Sequence, residues 1–135
     1  MRHALWPDAT AAEHAAELVG MLAGKPPGTL PAVIFVAQEP AGGLVGFIEV
    51  SLRSHADGCD IAQPVGFVEG WYVVPAFRRK NVGARLLGQA EQWAREQGCR
   101  EMASDTWIDN IESQQVHERL GFEVVDRCVN FRKLL

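Results

Sequence analysis

Cysteine is scarce in this chain. Cys59, Cys99 and Cys128 stand far apart, with no C-x-x-C pair. An odd count without paired spacing argues for free thiols in a reducing cytoplasm. Long apolar runs are missing too. No stretch reaches the roughly 18 residues a membrane span needs, so no membrane association is expected. The opening residues, M-R-H-A-L-W-P, lack the apolar core of a secretory signal. Excess positive charge is absent. The formal net charge of −4 argues against a general nucleic-acid binder and suits a cationic substrate. Repeats, low-complexity tracts and dividing linkers are absent as well, and 135 residues fit one domain, 1–135. What is present is ordinary for a folded domain: 47% hydrophobic residues are enough for a normal core.

Periodicity sets out the elements. Thr10 and Glu13 have capping-box spacing, and a helix over Ala11–Ala23 follows, with Ala15, Leu18, Val19 and Leu22 on one face. Gly24–Pro31 reads as a loop. Ala32–Gln38 and Leu44–Leu52 read as a hairpin around Pro40-Ala41-Gly42-Gly43. Val65–Val74 is a central strand. A helix runs from Val82 to Gln97, with Gly98 as its C′ residue. Arg100–Thr106 is a short strand. Asp109 or Asn110 caps a helix reaching Leu120, and Phe122–Leu134 supplies one long or two short strands. Strand-helix-strand units imply parallel pairing, whereas the hairpin is antiparallel. The expected class is α/β, a mixed sheet with helices on its faces.

The segment F-V-E-G-W-Y-V-V-P-A-F-R-R-K-N-V-G-A, from Phe67 to Ala84, carries the sharpest chemical signal. A strand ends in a basic turn, Arg78-Arg79-Lys80, and a helix begins at once. Free backbone N–H groups at a helix start, with cations at the lip, suit a pyrophosphate. Gly83 tolerates positive φ without steric cost, and Asn81 is the non-glycine residue that does so best. Walker A spacing is absent. The competing reading is a basic loop that caps a surface helix.

R78-R-K-N81-V-G83-A resembles the R/Q-x-x-G-x-G/A signature of the GCN5-related N-acetyltransferases. N110-I-E-S113-Q-Q-V-H117-E-R-L-G121-F122 is similar to that family's C-terminal segment. G98-C-R-E-M-A-S-D105-T, F67-V-E-G and L5-W6-P7 resemble bacterial aminoglycoside 6′-N-acetyltransferases. The resemblance implies transfer of an acetyl group from acetyl-CoA to an aminoglycoside 6′-amine, without a metal, in a protein that is commonly a homodimer. It implies a mostly antiparallel central sheet with a splayed parallel pair. The pattern departs twice: Asn81 stands where the first glycine is expected, and relatives carry a strand and most of a helix before the L-W-P segment. The expectation is therefore a sheet without its first strand.

The resemblance also distributes roles. Val73, Val74, Arg78, Arg79, Lys80, Asn81, Val82, Gly83, Ala84 and Asn110 would bind the coenzyme, with the Val73 N–H polarising the thioester carbonyl. Glu69 lies in an apolar strand, where a carboxylate is costly unless paired or functional. It would bind the acceptor amine and assist its deprotonation. Period-2 alternation puts Glu69, Trp71 and Val73 on one face, and Val68, Gly70 and Tyr72 on the other. Asp105, ending the next strand, would flank the same cation; an N-cap is its competing reading. His117 stands where many relatives carry a proton-donating tyrosine. Trp6 and Trp107 would wall the sugar ring, with Trp107 replacing a smaller residue usual in relatives. His3, His14 and His55 have no metal-ligand spacing. Two alternatives share the fold: another amine acceptor (a peptide, lysine or polyamine), or a coenzyme-binding module without catalysis.

Overall fold

The computed structural model describes residues 1–24 and 30–135. The loop expected over Gly24–Pro31 falls largely on 25–29, outside the described residues. Two helices open the chain: α1 (Arg2–Leu5), which periodicity did not indicate, and α2 (Ala11–Leu22). Thr10 and Glu13 close the capping box as expected, with Thr10 Oγ1 accepting from the Glu13 N–H at 3.2 Å and Glu13 accepting from the Thr10 N–H at 2.8 Å. The expected apolar face of α2 is covered only at Leu18, which is half-buried. Val19 and Leu22 stay exposed, and the residue α2 buries is His14.

The strands β1 (Ala32–Gln38), β2 (Leu44–Arg53), β3 (Val65–Val73) and β4 (Glu101–Ser104) form one sheet in the order β1-β2-β3-β4. β1–β2 and β2–β3 are antiparallel, and β3–β4 is parallel, as the strand-helix-strand order requires. Between β3 and β4 lie a 3₁₀ turn (Pro75–Phe77) and α3 (Val82–Glu96); α4 (Ile111–Arg119) follows β4. Gly98 and Gly121 take positive φ just beyond α3 and α4.

Ile48, Val50 and Val68 from the sheet pack against Leu86, Leu87 and Ala90 of α3 to form the core. Fully burying each such side chain contributes about 1.5–3 kcal/mol. The opposite face of β3 carries α1, because a Cβ on Gly70 would collide with the Trp6 ring. Helices therefore cover both faces of the sheet.

The strand expected over Phe122–Leu134 does not form: no residue beyond Gly121 is paired. Val124, Val125, Val129, Phe131 and Leu134 are exposed. Strand propensity needs a neighbouring backbone to take up its N–H and C=O groups, and among the described residues no strand pairs with this segment. No helix among the described residues is long and apolar enough to cross a membrane.

Candidate active site

The basic turn after β3 has the conformation its sequence demands. Arg79 and Asn81 take positive φ, 57° and 62°, and Asn81 enters α3 as a left-handed N-cap. Its carbonyl accepts from the Arg85 N–H at 3.1 Å, while its side chain makes no capping bond among the described residues. The first-turn amides of Val82, Gly83 and Ala84 are thus left without a side-chain cap at the positive end of a 15-residue helix. Arg78 folds back, donating from Nε to the Val73 carbonyl at 3.0 Å, and lies 3.5 Å from Glu112. Lys80 lies over Phe77. Gly83 serves a different end than expected. Its φ is helical, and its missing side chain makes room for Trp71, whose Cζ2 would sit 3.3 Å from an added Cβ.

The sheet opens beside this turn. The last β3–β4 rung is Val68 with Ser104. On β2, Glu49 pairs with Gly70 and Val50 with Val68, so Glu69 is a bulge without a partner. The bulge overturns the expected alternation. Val68 joins Trp71 and Val73 on the α3 face, while the Glu69 side chain turns to the α1 face. Past the bulge, Val74 N–H donates to Val45 O at 2.9 Å. Antiparallel alternation then aims the Val73 N–H away from β2, into the gap beyond the end of β4.

On the α1 face Glu69 is held bidentate by Arg53, at 3.1 and 2.8 Å, and accepts from Ser51 Oγ. The Arg53 guanidinium lies 3.3 Å from the centre of the Phe67 ring. Asp105 follows the last rung of β4 as Glu69 follows that of β3, which makes the two carboxylates neighbours at the opening. Asp105 is exposed and makes no hydrogen bond or ion pair among the described residues. Its N-cap reading fails, because Asn110 Oδ1 takes that place, accepting from the Ser113 N–H at 3.2 Å. Trp6 and Trp107 line one open cavity of about 610 Å³, together with Pro7, Asp8 and Glu13. Its wall is aromatic and its rim acidic, which suits a polycationic ring. The Thr10 N–H and hydroxyl hold the Glu13 carboxyl below its ordinary value.

His117 faces the other side. Its Nδ1 lies 2.8 Å from the Ser113 carbonyl and its Nε2 lies 2.9 Å from Ser104 Oγ. Trp71 and Phe122 meet its ring edge-on, with centroids 5.6 and 5.2 Å away. Among the described residues no cluster of three His, Cys, Asp or Glu side chains stands ready for a metal.

Five supporting residues escape a reading by motif: Ser51, Arg53, Ser104 and the pair Arg2–Glu49. Arg2 reaches Glu49 and Glu17 and lies 4.7 Å from the Trp6 ring centre, tying α1 and α2 to the sheet. Glu49 gives the same signal as Glu69, a carboxylate within an apolar run. Burial pushes its carboxyl up, with Arg2 opposing.

A profile of the Acetyltransferase (GNAT) family matches residues 2–122. The chain is 45% identical to aminoglycoside N(6')-acetyltransferase type 1 of Klebsiella aerogenes, over all of this chain and 87% of that protein. It is 43% identical to the enzyme of that name from Serratia marcescens, over all of this chain and 89% of the relative. Among solved structures, AAC(6')-Iy in complex with the bisubstrate analogue CoA-S-monomethyl-acetylneamine superposes with a TM-score of 0.87 at 37% identity, covering all of this chain and 88% of that one. AAC(6')-Ih from Acinetobacter baumannii gives 0.86 at 30% identity, over 99% and 87%. An uncapped helix start beside an opened parallel pair, matched along the full chain at this identity, makes the protein a member of the GNAT acetyltransferase family.

Proposed function

We propose that this chain, as one domain over 1–135, transfers the acetyl group of acetyl-CoA to the 6′-amine of an aminoglycoside in the cytoplasm. The observation that carries the reading is the gap between β3 and β4. An uncapped helix N-terminus with three cations in its turn opens beside it, Glu69 and Asp105 directly follow its last rung, and a tryptophan-walled acidic cavity lies against the end of α1. The names borne by the relatives and by the bisubstrate complex agree with it.

The donor side fits a pyrophosphate. The amides of Val82, Gly83 and Ala84, with Arg79 and Lys80 beside them, offer hydrogen bonds and positive charge to its oxygens. Arg78 braces the turn through the Val73 carbonyl. Asn110, spent on its own helix, contributes only at the edge of this site. When bound, acetyl-CoA supplies an activated acetyl group as a thioester. The Val73 N–H, turned into the gap, stabilises negative charge developing on the acyl oxygen.

The acceptor side manages protons and orientation. Trp6 and Trp107 stack on a sugar ring, and Asp8 and Asp105 attract its ammonium groups. Glu69 receives the proton of the 6′-ammonium, directly or through a water, so that the free amine lone pair forms the N–C bond as the C–S bond breaks. The coenzyme leaves as a thiolate and takes up, through solvent, the second proton that the new amide nitrogen sheds. Arg53 and Ser51 hold the Glu69 carboxylate in place. The test is thiol release from acetyl-CoA across a panel of amines. Turnover is expected with 6′-amino aminoglycosides. Turnover confined to peptides or polyamines would overturn the reading.

We also propose a homodimer. Each copy carries an unpaired, apolar segment over 122–135 and an open sheet edge at β4, so a two-fold exchange would pair both.

A further inference from the structure

We infer that His117 is a positioning residue: it ties α4 to the end of β4 and to Trp71, and so fixes where β3 and β4 part. It takes the place in the sequence where a proton donor to the departing thiolate was expected, but its bonds serve another end. The Ser113 carbonyl can only accept, so Nδ1 carries the hydrogen of that 2.8 Å bond. In the neutral ring Nε2 then holds a lone pair, and Ser104 Oγ–H donates to it across 2.9 Å. In either protonation state Ser104 occupies Nε2, so neither ring nitrogen is open to the gap.

The neighbours form a continuous row. Gly83 in the first turn of α3 leaves space for Trp71 of β3. Trp71 meets the edge of the His117 ring at an interplanar angle of 83°, and Phe122 supports the ring from a second direction at 66°. Beyond Nε2 stands Ser104, the β4 residue in the last rung with Val68. The strands therefore part at the residue that His117 holds. Losing this tie lets β4 drift and loosens the slot into which a coenzyme's acyl arm must fit.

The kinetic arm of the test rests on the acetyl transfer proposed above; the spectroscopic arm does not. Long-range proton–nitrogen correlation spectra of the whole protein should show the neutral His117 ring with Nδ1 protonated and Nε2 bare, unchanged when CoA is added. A neutral ring that carries its hydrogen on Nε2, with or without CoA, overturns the inference. In kinetics, His117→Ala and Ser104→Ala should each raise the KM for acetyl-CoA about tenfold, the order expected for one lost buried hydrogen bond. Ser104→Thr, which keeps the hydroxyl, should restore it. The high-pH fall of kcat should not move. A drop in kcat of about a hundredfold or more, with loss of that alkaline limb and an unchanged KM, is the signature of a general acid and contradicts the inference. Should His117→Ala fail to fold, the two Ser104 variants and the wild-type spectrum decide.

Discussion

Asn81 holds a left-handed conformation at φ 62°, where the family pattern has glycine. An asparagine tolerates this region, but a β-branched side chain does not. Asn81→Val is expected to lower stability by about 1–2 kcal/mol and to raise the KM for acetyl-CoA, read by urea unfolding and initial rates. Glu49 poses a second residue-scale question. Its carboxyl is raised above 4.5, chiefly by burial, so the folded state holds that proton more tightly than the unfolded chain does. As pH rises from 4.5 through the raised value, the unfolded state binds fewer protons than the folded one, and this group's contribution to stability falls. Unfolding free energies of the wild type and Glu49→Gln, measured from pH 4 to 7, should show the wild type losing ground to the variant as pH rises. The opposite trend would mean that the bond to Arg2 outweighs burial.

At the scale of elements, periodicity and caps were legible and tertiary adjustments were not. Thr10 with Glu13, the apolar face of α3, and the strands β1 to β3 follow from local spacing, because each is fixed by contacts the sequence displays. The bulge at Glu69 is not, since it depends on how β2 and β3 register once Gly70 accepts the Trp6 ring. A strict period of two therefore put Glu69 on the wrong face, even though it named the residue. The stripe Ala15, Leu18, Val19, Leu22 of α2 misled in the other sense, because only Leu18 is half-buried and the other three stay exposed. Ser51 and Arg53 were invisible for a simple reason: their task is set by a strand 16 to 18 residues away. The seating of α1 on β3 yields a direct test. Gly70→Ala should cost about 1–3 kcal/mol through overpacking against Trp6. It should also raise the aminoglycoside KM more than the acetyl-CoA KM, because Trp6 lines the cavity proposed to take the acceptor.

For the whole molecule, the exposed segment from Glu123 onward is the largest departure from the sequence reading. A run with strand composition found no pairing strand among the described residues. If two copies exchange these segments, Val125→Asp with Phe131→Asp should convert a dimer to a monomer in sedimentation equilibrium, with little change in far-ultraviolet circular dichroism. A wild-type monomer at micromolar concentration would remove the dimer proposal. The larger claim joins both ends of the gap into one reaction, donor turn on one side and acidic cavity on the other. The most direct measurement compares initial rates of thiol release with a kanamycin-type aminoglycoside bearing a 6′-amine and its counterpart bearing a 6′-hydroxyl, and locates the acetyl group in the product by NMR. The account predicts turnover with the amine alone and an amide at the 6′ nitrogen. Equal rates with both compounds, or acetylation at another nitrogen, would contradict it.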